Sequence, residues 1–112
     1  MLSVSFEFFP PRTEEGDLKL DKTIEALSIY SPEFFSVTFG AGGSTKTKTL
    51  ETVLRIKASN NNGVPHLSCI SASKEEVRSL LNEYKAHDIN HVIALRGDNP
   101  SGAISHGDFK YA

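Results

Sequence analysis

At 112 residues, with 38% hydrophobic and 23% charged residues and a net charge of −2, the chain has an ordinary globular composition and room for one modest core. Its 12 Lys and Arg are scattered rather than clustered against 14 Asp and Glu, which removes any electrostatic case for nucleic acid or an anionic membrane as partner. One cysteine, Cys69, excludes an internal disulfide, and no apolar run approaches the roughly 20 residues of a membrane span.

The first predicted element is a strand, Val4-Ser5-Phe6-Glu7-Phe8, which alternates with period 2. Leu20, Ile24 and Leu27 then recur at helical spacing within residues 14–29, and Ser31-Pro32 stops that helix, because the residue before proline is pushed out of the α region. Phe34-Phe35-Ser36-Val37-Thr38 is aromatic and β-branched, as a second strand should be. Leu50, Val53, Leu54 and Lys57 mark a second helix, which the breaker Asn60-Asn61-Asn62-Gly63 is expected to end.

Residues 64–70 read as a third strand in which Pro65, lacking an N–H, belongs at the start or on an edge. Ser73 with Glu76 three residues on has the spacing of a capping box, and Val77, Leu80, Leu81 and Tyr84 follow as the apolar face of a third helix. His91-Val92-Ile93-Ala94-Leu95 is a continuous apolar run of the kind found in parallel strands covered on both faces. From Arg96 onward the chain is rich in Gly, Asp, Ser and Pro and reads as a loop. The order β-α-β-α-β-α-β, with a repeat of roughly 30 residues, predicts a parallel sheet in a barrel or an open doubly wound fold.

In either architecture ligands bind beyond the carboxyl ends of the strands. The residues expected there are Glu7 to Arg12 after the first strand and Thr38 to Gly43 after the second. His66 and Ser68 come with the third, and Arg96-Gly97-Asp98 after the fourth. Ionisable or hydroxyl groups thus recur at one edge in all four units. Glu7 is the most informative of them, since alternation sends it to the face opposite Val4, Phe6 and Phe8. If that face is a barrel interior, burial favours the neutral carboxylic acid, which can donate a proton. The alternative is an edge-strand carboxylate in water, or one paired with Arg12.

Other motifs carry less. The Gly40–Thr47 segment fails as a phosphate loop because Thr45, not glycine, precedes Lys46. Arg96-Gly97-Asp98 also spells a cell-adhesion tripeptide, discounted because residues 1–5 offer neither the basic nor the apolar region of a signal peptide. A reduced, cytoplasmic setting is expected instead. His66, His87, His91 and His106 lack the spacing of a zinc site. Cys69 and His87 read as structural or surface residues, and His91 falls at the wrong end of its strand.

Four ordered motifs carry a resemblance: Ser5-Phe6-Glu7-Phe8-Phe9-Pro10-Pro11-Arg12, Ser36-Val37-Thr38-Phe39-Gly40-Ala41, Pro65-His66-Leu67-Ser68-Cys69 and Ala94-Leu95-Arg96-Gly97-Asp98. Together they resemble the methylenetetrahydrofolate reductase family along the whole chain. The resemblance implies a (β/α)₈ barrel that binds FAD and passes a hydride from NAD(P)H to 5,10-methylenetetrahydrofolate in a ping-pong reaction. It implies that Glu7 is the general acid that protonates the folate nitrogen leaving as the five-membered ring opens. Asp98 matches an aspartate beside the flavin and folate rings, so it enters as catalytic, cofactor-binding and substrate-binding.

By the same matching, Thr38 contacts the flavin and nicotinamide. Phe39, Ala41, His66, Arg96, Gly97, Tyr111 and Ala112 line the FAD site, with Arg96 suited to a phosphate or ring carbonyl. No metal is implied. The family pattern often carries tyrosine where Phe39 stands, which removes a hydroxyl but keeps a ring.

A barrel of this kind needs about 250 residues. The expectation is therefore that residues 1–112 are part of a catalytic domain, four strands and three helices, inactive alone and homo-oligomeric when full length. The alternatives are a non-catalytic half-barrel remnant and another pterin-binding barrel enzyme.

Overall fold

The structure is a computed structural model that describes residues 2–39, 43–69 and 72–96. The elements are β1 (Phe6–Phe8), α1 (Glu14–Ser28), β2 (Phe35–Val37), α2 (Gly43–Ala58), β3 (Gly63–Ser68), α3 (Lys74–Ala86) and β4 (Ile93–Leu95). All strand pairings are parallel and the order is β1-β2-β3-β4, so the α/β expectation holds. The chain divides into two compact units, one ending at Pro65 and the other beginning at His66, and the division falls inside β3.

In the first unit the register is Phe6↔Phe35, Glu7↔Ser36 and Phe8↔Val37, then Phe35↔Gly63 and Val37↔Pro65. This gathers the aromatic residues on one face. Phe6 and Phe8 stack on Phe35 with ring centroids 5.8 and 5.4 Å apart. Phe35, Val37, Val53 and Ile56 are fully buried, with Leu20 and Ile24 of α1 nearly so. Burying each such side chain stabilises the fold by about 1.5–3 kcal/mol.

The termini of the helices follow local chemistry. The Thr13 hydroxyl caps α1 by accepting from the Gly16 N–H at 3.0 Å, and acidic Glu14, Glu15 and Asp17 complement its N-terminal dipole. Ser31, just before Pro32, takes a left-handed φ of 49° after the helix has closed at Ser28. Helix α2 is tied to α1 by Arg55, which reaches Asp21 at 2.8 Å and Asp17 at 3.6 Å. These pairs are over a third exposed, so they contribute under about 1 kcal/mol each.

The sequence left two features of the first unit open, and one expectation, for Pro65, needs revision. Helix α2 begins at Gly43, well before Leu50. Its inner face is set by Thr49, Thr52, Val53 and Ile56, all buried, and the two threonines concealed the helical period. The breaker ends α2 at Ala58 as expected, with Asn60 in the left-handed conformation, φ 63°, and Gly63 opening β3. Asparagine tolerates that region, whereas a Cβ at Gly63 would lie 2.8 Å from the Val53 carbonyl oxygen, so glycine is needed for close packing. Pro65 stands inside β3 rather than at its start. In the parallel ladder the Phe35 N–H bonds to the Asn62 carbonyl, which makes Phe35 and Val37 the bonding residues and turns the missing donor of Pro65 away from β2.

In the second unit, His66↔Ile93, Leu67↔Ala94 and Ser68↔Leu95 pair β3 with β4. The Ser73 hydroxyl accepts from the Glu76 N–H at 3.1 Å, as the capping spacing predicts. Tyr84 is 1% exposed, while Leu81 is 38% exposed and falls off the apolar face. Strand β4 is shorter than the run 91–95, and Ala94 and Leu95 are exposed, so it is not covered on both faces as a doubly packed strand would be.

Candidate functional site at the strand ends

In the first unit, β1 and β2 end side by side. The Thr38 N–H donates to the Phe8 carbonyl at 2.9 Å, continuing the ladder one step beyond the strands. From the other side the Thr49 hydroxyl donates to the Thr38 carbonyl at 2.8 Å, and Thr49 is fully buried. Both backbone groups of Thr38 are thus fixed, one by β1 and one by α2. The side chain of Thr38 is half-buried, as is that of Phe39. Glu7 sits opposite Ser36, two residues before Thr38, so alternation puts Glu7, Ser36 and Thr38 on one face.

Glu7 itself is exposed. The expectation of a buried carboxyl is therefore corrected: β1 is the outer strand of the sheet, with β2 as its single hydrogen-bonded neighbour among the described residues. Ser36, one strand further in, is 3% exposed, so the burial sought for Glu7 begins at β2.

In the second unit, His66 is 7% exposed and lies opposite Ile93 in the first pair of the ladder. Arg96 follows β4 directly and is exposed, where a guanidinium can meet an anion without losing its hydration first. Three residues of register separate the two, so they are not adjacent in the ladder. The Cys69 N–H donates to the Leu95 carbonyl at 2.9 Å. Cys69 is buried and burial pushes its thiol up, which suits a structural role and not a thiolate nucleophile. His87 caps the end of α3, and His91 precedes β4 in an exposed position. Ala41, Gly97, Asp98, Tyr111 and Ala112 lie outside the described residues.

Each unit presents its own groups where its strands end. The first unit offers a carboxyl, the hydroxyl of Thr38 on a bonded backbone and the rings of Phe9 and Phe39; the second offers an exposed guanidinium and an imidazole. Among the described residues no three His, Cys, Asp or Glu side chains are grouped to hold a metal ion, and no helix is long and apolar enough to cross a membrane. A cavity of about 360 Å³ lies elsewhere, lined by Asp21, Ile24, Glu25 and Ser28 of α1 and by Ser59. It borders the segments that lead into strands rather than those that leave them, and Asp21 is already engaged by Arg55. The strand-end groups are the better candidate.

Sequence reasoning missed Thr49 beside this edge and, while placing Phe9 in the Glu7 to Arg12 segment, gave it no role of its own. Thr49 could have been found by treating buried threonine as apolar, since 49, 52, 53 and 56 keep helical spacing. Phe9 continues the alternation of β1 by one residue, on the side of Glu7, and is 78% exposed.

Comparison with known proteins gives a consistent result. The sequence profile of the family described as methylenetetrahydrofolate reductase matches residues 1–112. The 5,10-methylenetetrahydrofolate reductase of Salmonella typhimurium is 42% identical over 103 residues, which cover 91% of this chain and 35% of that protein. The Escherichia coli protein of the same name matches to the same extent, 42% over 103 residues. Methylenetetrahydrofolate reductase (NADH) 1 of Arabidopsis thaliana is 40% identical over 99 residues, 88% of this chain and 17% of that protein. The chain thus spans about a third of the length of the bacterial relatives it matches.

Proposed function

The chain belongs to the methylenetetrahydrofolate reductase family of oxidoreductases, and on that premise we propose that residues 1–112 supply the first strands of a folate-reducing catalytic barrel. The reaction proposed is the reduction of 5,10-methylenetetrahydrofolate to 5-methyltetrahydrofolate. FAD is the cofactor, and the reductant is NADH, the nucleotide in the plant relative's name, or NADPH. A bound flavin would supply the ping-pong hydride transfer between nicotinamide and folate. A cytoplasmic location and a homo-oligomeric full-length protein belong to the same reading.

The observation that supports it most is the edge formed by Glu7 and Thr38. A carboxyl and a hydroxyl share one face, and the backbone of Thr38 is held at 2.9 and 2.8 Å by two different elements. Groups positioned on a rigid ladder lose little freedom when a ligand meets them. Glu7 is the proposed general acid, delivering a proton to the folate nitrogen that leaves when the five-membered ring opens. A folate laid over the exposed carboxyl would take it out of water and favour the proton-bearing form that the step requires.

Thr38, Phe39 and Ala41 are proposed to line the flavin ring. His66, Arg96, Gly97, Tyr111 and Ala112 are proposed for the rest of the cofactor, with Arg96 on a phosphate or ring carbonyl. Asp98 is proposed beside both rings, where a negative charge lowers electron affinity and favours hydride donation to folate.

A hybrid tests the assignment: residues 1–112 exchanged for the matching segment of the Salmonella relative. Glu7→Gln in that hybrid is expected to leave reduction of bound flavin by NADH within about twofold, while folate reduction falls by about 10²-fold or more. Stopped-flow absorbance of each half-reaction measures both. Equal loss in the two half-reactions would remove the proton-donor role.

A further inference from the structure

Phe9 carries an inference beyond the residues already placed. A lone exposed phenylalanine means little by itself. Its setting is unusual. With Phe8 opposite Val37 and the Thr38 N–H bonded to the Phe8 carbonyl at 2.9 Å, the next register pair is Phe9 with Thr38. Phe9 therefore follows Glu7 by two residues, at the strand-end edge, with 78% of its surface open. Phe6 and Phe8, on the other face, stack on Phe35 instead.

The backbone on both sides of Phe9 is held. Pro10 restricts Phe9 to extended conformations, and two successive prolines fix their own φ angles. Pro11 is seated on the first turn of α1, where a Cβ added at Gly16 would lie 3.1 Å from the Pro11 Cβ. The ring is thus presented from a segment anchored to β2 at one end and α1 at the other. An aromatic face held open in this way stacks on a planar ring at small entropic cost.

We propose that Phe9 is a stacking platform that positions a pteridine-type fused ring, the planar core shared by flavins and folates, beside Glu7 and Thr38. The π-face of Phe9 takes the ring plane, while the Thr38 hydroxyl and Glu7 carboxyl meet its polar edge. This rests on the flavin- and folate-binding reading given above and adds to it a residue that binds without reacting.

The test uses the flavin-free hybrid described above, its Phe9→Ala variant and its Phe9→Tyr variant, titrated separately with riboflavin and with folic acid while ligand fluorescence is followed. Circular dichroism of the three proteins should coincide, because the side chain is largely in water already. Loss of the platform is expected to weaken binding at least about fivefold, from the strength of stacking on aromatic side chains, and Phe9→Tyr should keep it. Weakening for one ligand alone supports the platform and names the ring it serves. Binding by the hybrid with an undiminished Phe9→Ala variant overturns the platform and leaves the flavin and folate reading standing. A hybrid with Phe9 in place that binds neither ring overturns both.

Discussion

Replacing Thr49 by valine should loosen the candidate site from a distance. Thr49 is fully buried in α2, and its hydroxyl donates to the Thr38 carbonyl at 2.8 Å. Valine has nearly the same shape but sets a methyl group where the hydroxyl was. A carbon atom needs about 3.3 Å from a carbonyl oxygen, so Thr38 must retreat by ~0.5 Å. Its carbonyl also loses a partner, at a cost of about 1–2 kcal/mol. Thermal unfolding should then shift down by about 4–8 °C for each kcal/mol in a chain of this size.

Thr52→Val is the matched control, one turn along the same buried face. The Thr52 hydroxyl bonds to the Lys48 carbonyl four residues back, within its own helix. Removing that bond leaves a carbonyl of the regular helical ladder and should change stability by less than about 0.5 kcal/mol. Calorimetry of both variants, with Thr49→Ser as rescue, measures the difference. Equal melting temperatures for Thr49→Val and Thr52→Val would refute the idea that α2 fixes Thr38 through this hydroxyl.

Tyr84→Phe should stabilise the chain by about 1 kcal/mol, because the phenol is 1% exposed and its oxygen has no hydrogen-bond partner among the described residues. Burial, with Glu83 nearby, pushes the phenol up to about 12 from its ordinary 10. The native state therefore keeps this proton where the unfolded chain releases it. That contribution is fully present below pH 10 and is lost as pH rises toward 12, roughly 2–3 kcal/mol in all. Urea titrations at pH 9 to 11.5 should show a steeper decline for the wild type than for Tyr84→Phe, and parallel curves would count against a buried phenol. Gly63→Ala places a Cβ 2.8 Å from the Val53 carbonyl oxygen and should cost about 1–3 kcal/mol, read as a lower urea midpoint with unchanged slope. An unchanged midpoint would mean that α2 is free to move off β3.

The sheet was legible because its strands obey a local rule. Phe35 and Val37 show their burial in their own hydrophobicity, and Leu20 and Ile24 do so through spacing. The extent of α2 was hidden because its inner face begins with threonine, whose burial depends on a partner eleven residues away in sequence, the Thr38 carbonyl. The exposure of Glu7 was hidden for a related reason. Alternation tells which face a side chain takes, but whether that face is covered depends on what lies beside β1, and period 2 holds no information about neighbours.

The same limit explains why the resemblance contributed more to the site than periodicity did. Ligand-binding groups are chosen for what they do to a ligand and not for how they pack, so nothing in the hydrophobic pattern marks the proposed Thr38 over Ser36 or the proposed Arg96 over Arg78. What the structure adds is a physical distinction between them. The Thr38 N–H is committed to the Phe8 carbonyl and its C=O to the Thr49 hydroxyl of α2, whereas Ser36 is held within the sheet by β1. The proposed transfer of a proton from Glu7 to a ring held beside it would need such a fixed point. The chain spends a buried threonine of α2 to provide it.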